Sequence, residues 1–262
     1  MRIWLRDYAA FVREKLPAET AERLIELARP AIRLSRASEG DEPVGRLGGT
    51  AVLPPTMEVP PGMALAVELD CARLNRYEVD IALPADGTLL FFTELEGDRA
   101  EVVYLPVGTA VVPRPAPYEH PELPLTASTV ATWPEGCQPV LVQAFGGVPE
   151  TYEAVWHHDD FAESIANYGH DAFPGPLHQV GGYSVAFQNP VEAEAAQDAG
   201  AGWYGDPTFF AEASQWVTLL QLAEDTDADM IWGDGAFAIW AIRADALAAR
   251  DFEKTYFYLQ GH

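Results

Sequence analysis

The same ordered set of four short features occurs twice in this chain, and that repetition restricts its fold more than any other property of the sequence. The first set is "LGGTAVLPP", "MALAVELD", "ADGTLLFFTEL" and "EVVYL". The second is "VGGYSVAFQNP", "WVTLLQLAED", "GDGAFAIWAI" and "KTYFYLQ". Each set runs from a Gly-Gly pair into a strand, through an apolar strand ending in an acid or amide, to an Asp-Gly turn entering an aromatic strand, and closes on a further strand. Short runs of β-formers bounded by turn residues read as an antiparallel sheet. The shared order, with spacings that differ by insertion, predicts a duplication: two similar β-rich lobes, each too small to bury its own sheet face, packed intimately together.

The fold class expected is therefore α+β, mostly antiparallel sheets in two similar lobes, preceded by an N-terminal helical pair. "RDYAAFVREKL" places Tyr8, Phe11, Val12 and Leu16 at helical spacing before Pro17. "PAETAERLIELARP" repeats the pattern with Ala21, Leu24, Ile25 and Leu27, and Thr20 is a candidate cap. A single domain over 1–262 divides into a helical N-terminus (1–30), a first β-rich lobe (31–112), a connector (113–176) and a second β-rich lobe (177–262). The connector opens proline-rich and reads as extended and superficial, with a short helix near "HDDFAESIANYGH" capped by Asp159 or Asp160. "NPVEAEAAQDAG" reads as a short helix or a loop, and "RADALAARDF" as one or two helical turns.

With 262 residues, 48% of them hydrophobic, the chain can bury a sizeable core. Its net charge of −24 repels phosphate backbones and anionic lipid, so neither nucleic acid nor a membrane surface is an expected partner. A protein with a basic surface, or a small ligand at the lobe junction, is. Two cysteines, Cys71 and Cys137, signal neither a zinc site nor a disulfide framework and fit the reducing cytoplasm. The N-terminus lacks the continuous apolar stretch of a signal peptide, and no apolar run reaches membrane-spanning length.

"ARPAIRL", "RLGGTAVLPP", "MALAVELD", "LPADGTLLFF", "HQVGGYSVAFQNP", "LLQLAED", "MIWGDGAFAIWAI" and "DFEKTYFYLQGH" together resemble the YwqG-like family of uncharacterised bacterial proteins. The resemblance runs from about Ala28 to His262 and is weakest between Arg114 and Phe173. It implies an α+β fold with a helical N-terminus and no established activity. It also implies an association with toxin or stress genes, as binding or immunity-type proteins. The chain departs from the family pattern after "LLQL", where Ala223 stands in place of an aspartate and Glu224 and Asp225 follow. It departs again after Asp234, where Gly235-Ala236 stands in place of a polar residue.

Candidate functional residues are few. The pairs Gly48-Gly49 and Gly181-Gly182 are each expected to open a strand and not a helix. They read as structural glycines supplying positive φ and close backbone approach, not as a phosphate cradle. His178 and Gln179 precede the second pair, where the first half carries Arg46-Leu47, and are candidate ligand contacts. Gln188 and Gln221 interrupt apolar strands, and as buried amides they must bond each other, a turn or a ligand. Glu68 and Asp70 point to one face of a strand, as a cation site or an acid/base pair would require. Asp234 reads as the cap of the turn into an aromatic strand. A hydrolase reading would join His178 to Glu68, Asp70 or Asp234. "AEDTDAD" lacks the spacing of a calcium loop, and the adjacent histidines of "VWHHDDF" do not converge as zinc ligands do. No nucleophile elbow, zinc-protease helix or phosphate loop occurs, and neither a metal nor a cofactor is signalled. The leading expectation is a cytoplasmic binding or interaction protein. An immunity-type partner of a basic toxin or nuclease is the alternative.

Overall fold

The computed structural model describes residues 2–95, 99–158, 160–172 and 174–261. Two helices open the chain, α1 (Arg6–Lys15) and α2 (Ala18–Leu27), followed by strands β1 (Arg29–Arg36), β2 (Gly45–Leu47), β3 (Ala51–Leu53) and β4 (Met63–Asp70). Next come α3 (Cys71–Leu74), β5 (Thr88–Glu94), β6 (Ala100–Leu105), β7 (Val112–Arg114) and β8 (Leu123–Thr132). Helices α4 (Pro139–Phe145), α5 (Val148–Thr151) and α6 (Phe161–Ala172) lead to β9 (His178–Val180). The chain closes with α7 (Val191–Asp198), α8 (Pro207–Ala213), β10 (Trp216–Ala223), β11 (Phe237–Arg243), α9 (Ala244–Ala248) and β12 (Tyr256–Gln260).

One antiparallel ladder joins ten of the strands in the order β12-β11-β10-β9-β1-β8-β2-β4-β5-β6, and β3 pairs with β7 in a small separate sheet. The order is symmetric about the central β1–β8 pair. β9 to β12 run outward on one side as β2, β4, β5 and β6 do on the other. The registers match as well. Leu47, before the first glycine pair, faces Val67, and Val180, before the second, faces Leu220. A bulge follows at the same step in both halves, at Ala66 in β4 and at Leu219 in β10. The ladder is continuous, so the two halves share one sheet instead of burying two separate ones. Leu123–Thr132, placed in the connector from sequence, is β8 and lies at the centre of that sheet. The proline-rich lead-in masks it, because no turn signal separates the two.

The sheet curls into a nearly closed barrel. Phe91 of β5 meets Trp240 of β11 edge-on at 5.4 Å across the interior, and Tyr104 of β6 packs on Phe252 at 5.8 Å. The interior holds Ile32, Leu34, Val67, Leu89, Leu220 and Trp240, all essentially inaccessible. The outer face is covered too. Helices α7 and α8 pack on Phe237, Ile239 and Ala241 of β11. Helices α1, α2 and α6 enclose Tyr8, Leu24, Phe161 and Trp133, with Tyr8 stacked on Trp133 at 5.0 Å. Strands buried on both faces explain the near-continuous apolar runs of the sequence.

Helix α2 starts at Ala18 with Pro17 before it, and Thr20 lies inside the first turn instead of capping it. Pro17, at φ −53°, presets the entry. The Asp160 backbone carbonyl accepts from the Ser164 N–H at the head of α6, and Asp159 lies outside the described residues. Among the described residues, no helix is long and apolar enough to cross a membrane.

Candidate functional site

Both glycine pairs follow a strand, β2 or β9, and turn the chain out of the ladder. All four have positive φ: 57° and 75° at Gly48 and Gly49, 69° at both Gly181 and Gly182. The residue two places before each pair clamps the turn. Arg46 donates to the carbonyls of Gly48 and Thr50, and Gln179 donates to those of Gly181 and Tyr183. The register thus equates Gln179 with Arg46 and His178 with Gly45, one place off from the match read in the sequence. Only the first pair leads into a strand, β3. After the second, Tyr183 N–H goes to Thr132 Oγ1 and Val185 N–H to Gln221 Oε1, so side chains replace the ladder that "YSVAFQ" was expected to form.

The other expected contacts separate. Gln221 is fully buried, and its Nε2 donates to the Leu177 carbonyl at 2.8 Å. Gln188 donates to the Gly261 carbonyl and accepts from Tyr258, so the two amides do not bond each other. Glu68 is paired with Arg46 at 2.8 Å, and Asp70 caps α3 through the Arg73 N–H at 3.0 Å. Asp234 is exposed. The turn into β11 is held instead by Glu224, which accepts from the N–H groups of Trp232, Gly233 and Gly235.

His178 meets none of the three carboxylates proposed for a hydrolase. It is 2% exposed and faces the barrel interior, four ladder positions from the strand that carries Glu68 and Asp70. Its Nδ1 accepts from the Ala223 N–H at 3.2 Å, which leaves Nε2 to donate to Asp225 Oδ2 at 3.1 Å. Arg36 reaches the same oxygen at 2.6 Å, and Asp225 Oδ1 takes the N–H groups of Asp227 and Ala228. Burial lowers the His178 pKa despite the carboxylate beside it. Burial alone would raise the Asp225 carboxyl, but the His178 hydrogen bond and the Arg36 charge outweigh it and hold it at about 2. The group is a buried structural tie. Sequence reading missed Asp225 because its partners lie 47 and 189 positions away.

An opening at the surface lies on the opposite face of the same strands. A cavity of about 310 Å³ sits over β1, β8 and β9, roofed by α6 and by the segment after Gly182. Alternation on β1 and β9 turns Arg33 and its ladder partner Gln179 toward it while Leu34 and His178 point inward. Trp133, Ile165, Tyr183, Val185 and Phe187 make the lining largely apolar. Its polar groups converge from three elements. Arg33 is 8% exposed, and burial brings its guanidinium down to about 10, so it stays charged at neutral pH. Glu135 is pushed up to about 6 by burial, partly offset by the Trp133 Nε1–H at 3.0 Å. The Ser184 hydroxyl is buried with no hydrogen-bond partner among the described residues. His178 points to the other face of the sheet, so it does not line the cavity that holds Ser184. Among the described residues, no group of acids, histidines or cysteines is placed to hold a metal ion.

The family model described as "Domain of unknown function (DUF1963)" matches residues 45–261. The chain belongs to the DUF1963 family. No curated protein matches it. The DUF1963 region begins at the first residue of β2 and takes in both glycine turns and every strand except β1. Helices α1 and α2, which help cover the outer face, lie ahead of it.

Proposed function

We propose that this DUF1963 protein is a binding protein, not a catalyst, and that its ligand is a compact, largely apolar molecule with a hydrogen-bonding head. The observation that carries the reading is the cavity over β1, β8 and β9, where an apolar lining surrounds Arg33, Glu135 and Ser184. Concave, mostly apolar sites with a few converging polar groups are where small ligands bind, and displaced carboxyl pKa values mark such sites. The cavity lies over the central strand pair, between the two flanking sets of strands, and that position supports a ligand at the junction of the halves.

The halves themselves we infer to be copies of one ancestral unit, of the YwqG-like kind. The symmetric strand order, the matched bulges and the matched side-chain clamps on the glycine turns support this. The free cysteines Cys71 and Cys137 support a cytoplasmic setting.

A thermal-shift and calorimetric screen of small aromatic and aliphatic acids, amides and amines tests the binding reading. Wild-type protein should respond saturably to at least one class. Ala166→Trp, at an exposed helical position on the cavity rim, should abolish the response without changing the fold. An equal response in that variant, or none in either protein, would reject the reading.

A further inference from the structure

A second, smaller cavity of about 100 Å³ lies between α4, α7, α8 and the start of β10. Its wall toward the first cavity is Tyr183, which lines both. Two of its lining groups are buried acceptors. Glu192 is 5% exposed and Gln138 is 3% exposed, and Gln138 Nε2 donates to Glu192 Oε2 at 3.0 Å. The other oxygens of the pair, Glu192 Oε1 and Gln138 Oε1, are buried and have no hydrogen-bond partner among the described residues.

A buried carboxylate must be paired, hydrogen-bonded or protonated. Burial raises the Glu192 pKa, while its Gln138 bond and the Arg29 charge oppose the rise. The one guanidinium lining this cavity is that of Arg29, and it is engaged elsewhere. It lies over the Tyr183 ring at 4.4 Å and reaches Asp80 at 3.7 Å. Two acceptors supplied together call for a donor-rich cation. A hard metal ion requires about six oxygens, which this site lacks. An ammonium group has three N–H donors and no acceptor. Phe210 and Trp216 add aromatic surface to the lining, a surface that attracts such a cation.

We propose that this cavity is a binding site for a small primary alkylammonium, its N–H groups on Glu192 Oε1 and Gln138 Oε1. The site is separate from the first cavity and does not depend on what binds there. Calorimetric titration with ethylammonium chloride at mildly alkaline pH tests it, with sodium chloride and tetramethylammonium chloride at equal ionic strength as references. Ethylammonium should bind saturably and raise the melting temperature, and the two reference salts should do neither. Glu192→Gln keeps the shape and removes the charge, and it should weaken binding by about tenfold or more. Ser214→Trp leaves Glu192 untouched and covers the cavity from an exposed position, so it decides the matter if Glu192→Gln does not fold. Wild-type protein that ignores ethylammonium, or responds equally to tetramethylammonium, would overturn the proposal. So would a Ser214→Trp protein that binds as wild type does.

Discussion

A methyl group on Gly182 would lie 2.4 Å from Thr132 Oγ1 and 2.7 Å from the Ala31 Cβ, at a φ of 69°. Strain and overlap act together there, so Gly182→Ala should cost about 3 kcal/mol in urea unfolding. Gly40→Ala, also at positive φ but with open space around it, should cost about 1 kcal/mol. The Arg36–Asp225–His178 tie makes a second prediction. Asp225 titrates near 2 in the folded chain, below its ordinary unfolded value. Its stabilisation is therefore complete above roughly pH 4 and is lost as pH falls toward 2. His178, whose pKa burial lowers, resists protonation in the fold and adds to the acid lability below its ordinary value. Asp225→Asn should destabilise the protein by about 3 kcal/mol at neutral pH, and its deficit against wild type should close in the acid window. Unfolding curves measured across that window check both parts. At this scale the sequence shows which residues are unusual and hides whom they meet. A histidine before two glycines is visible, but the aspartate that holds it belongs to an acidic loop that reads as solvated. In the same way, Asp234 looked like the turn cap while Glu224, ten places earlier in the chain, takes the three N–H groups.

At the scale of strands, the repeated feature order makes six of the ladder strands visible, β4 to β6 and β10 to β12, because turn residues bracket β-formers on both sides. The other four, β9, β1, β8 and β2, sit together at the centre. β1 reads as strand-like from sequence, β8 is hidden by the proline-rich segment ahead of it, and β2 and β9 come before the glycine pairs, whereas the sequence reading puts strands after them. The bulges at Ala66 and Leu219 are invisible in a run of apolar residues buried on both faces, yet they set which side chains enter the barrel. Leu65 packs outside and Val67 inside, although they are two apart. The packing they produce is testable. Phe91 and Trp240 hold equivalent ladder positions, each facing the residue after its bulge, and they meet across the interior. Single Phe91→Leu and Trp240→Leu variants should each destabilise by about 2 kcal/mol or more, and a double-mutant cycle should return a coupling of about 1 kcal/mol. A coupling near zero would place the two rings in separate packing units.

Considered as one body, the chain depends on a segment outside the DUF1963 match. β1 supplies a ladder partner to both β8 and β9, and without it the sheet falls into two parts with unpaired edges. A chain shortened to residues 45–262 should therefore lose cooperative thermal unfolding and aggregate, which scanning calorimetry and light scattering would show. The position of β1 also fixes the cavity, since Arg33 reaches it from that strand. Sequence reading placed a ligand at the junction of the halves and assigned it to His178, Gln179, Gln188, Gln221, Glu68, Asp70 and Asp234, and of these Gln179 alone lines the cavity. The alternation that turns Gln179 outward turns His178 in, and that phase became legible only with the register. The most direct measurement is the backbone amide spectrum of the folded protein during titration with the strongest binder from the small-molecule screen. The account predicts saturable shifts centred on Ser184, Val185 and Ala166, absent in Ala166→Trp. Shifts centred instead on the Glu68–Asp70 region, or no shifts at any concentration, would contradict it.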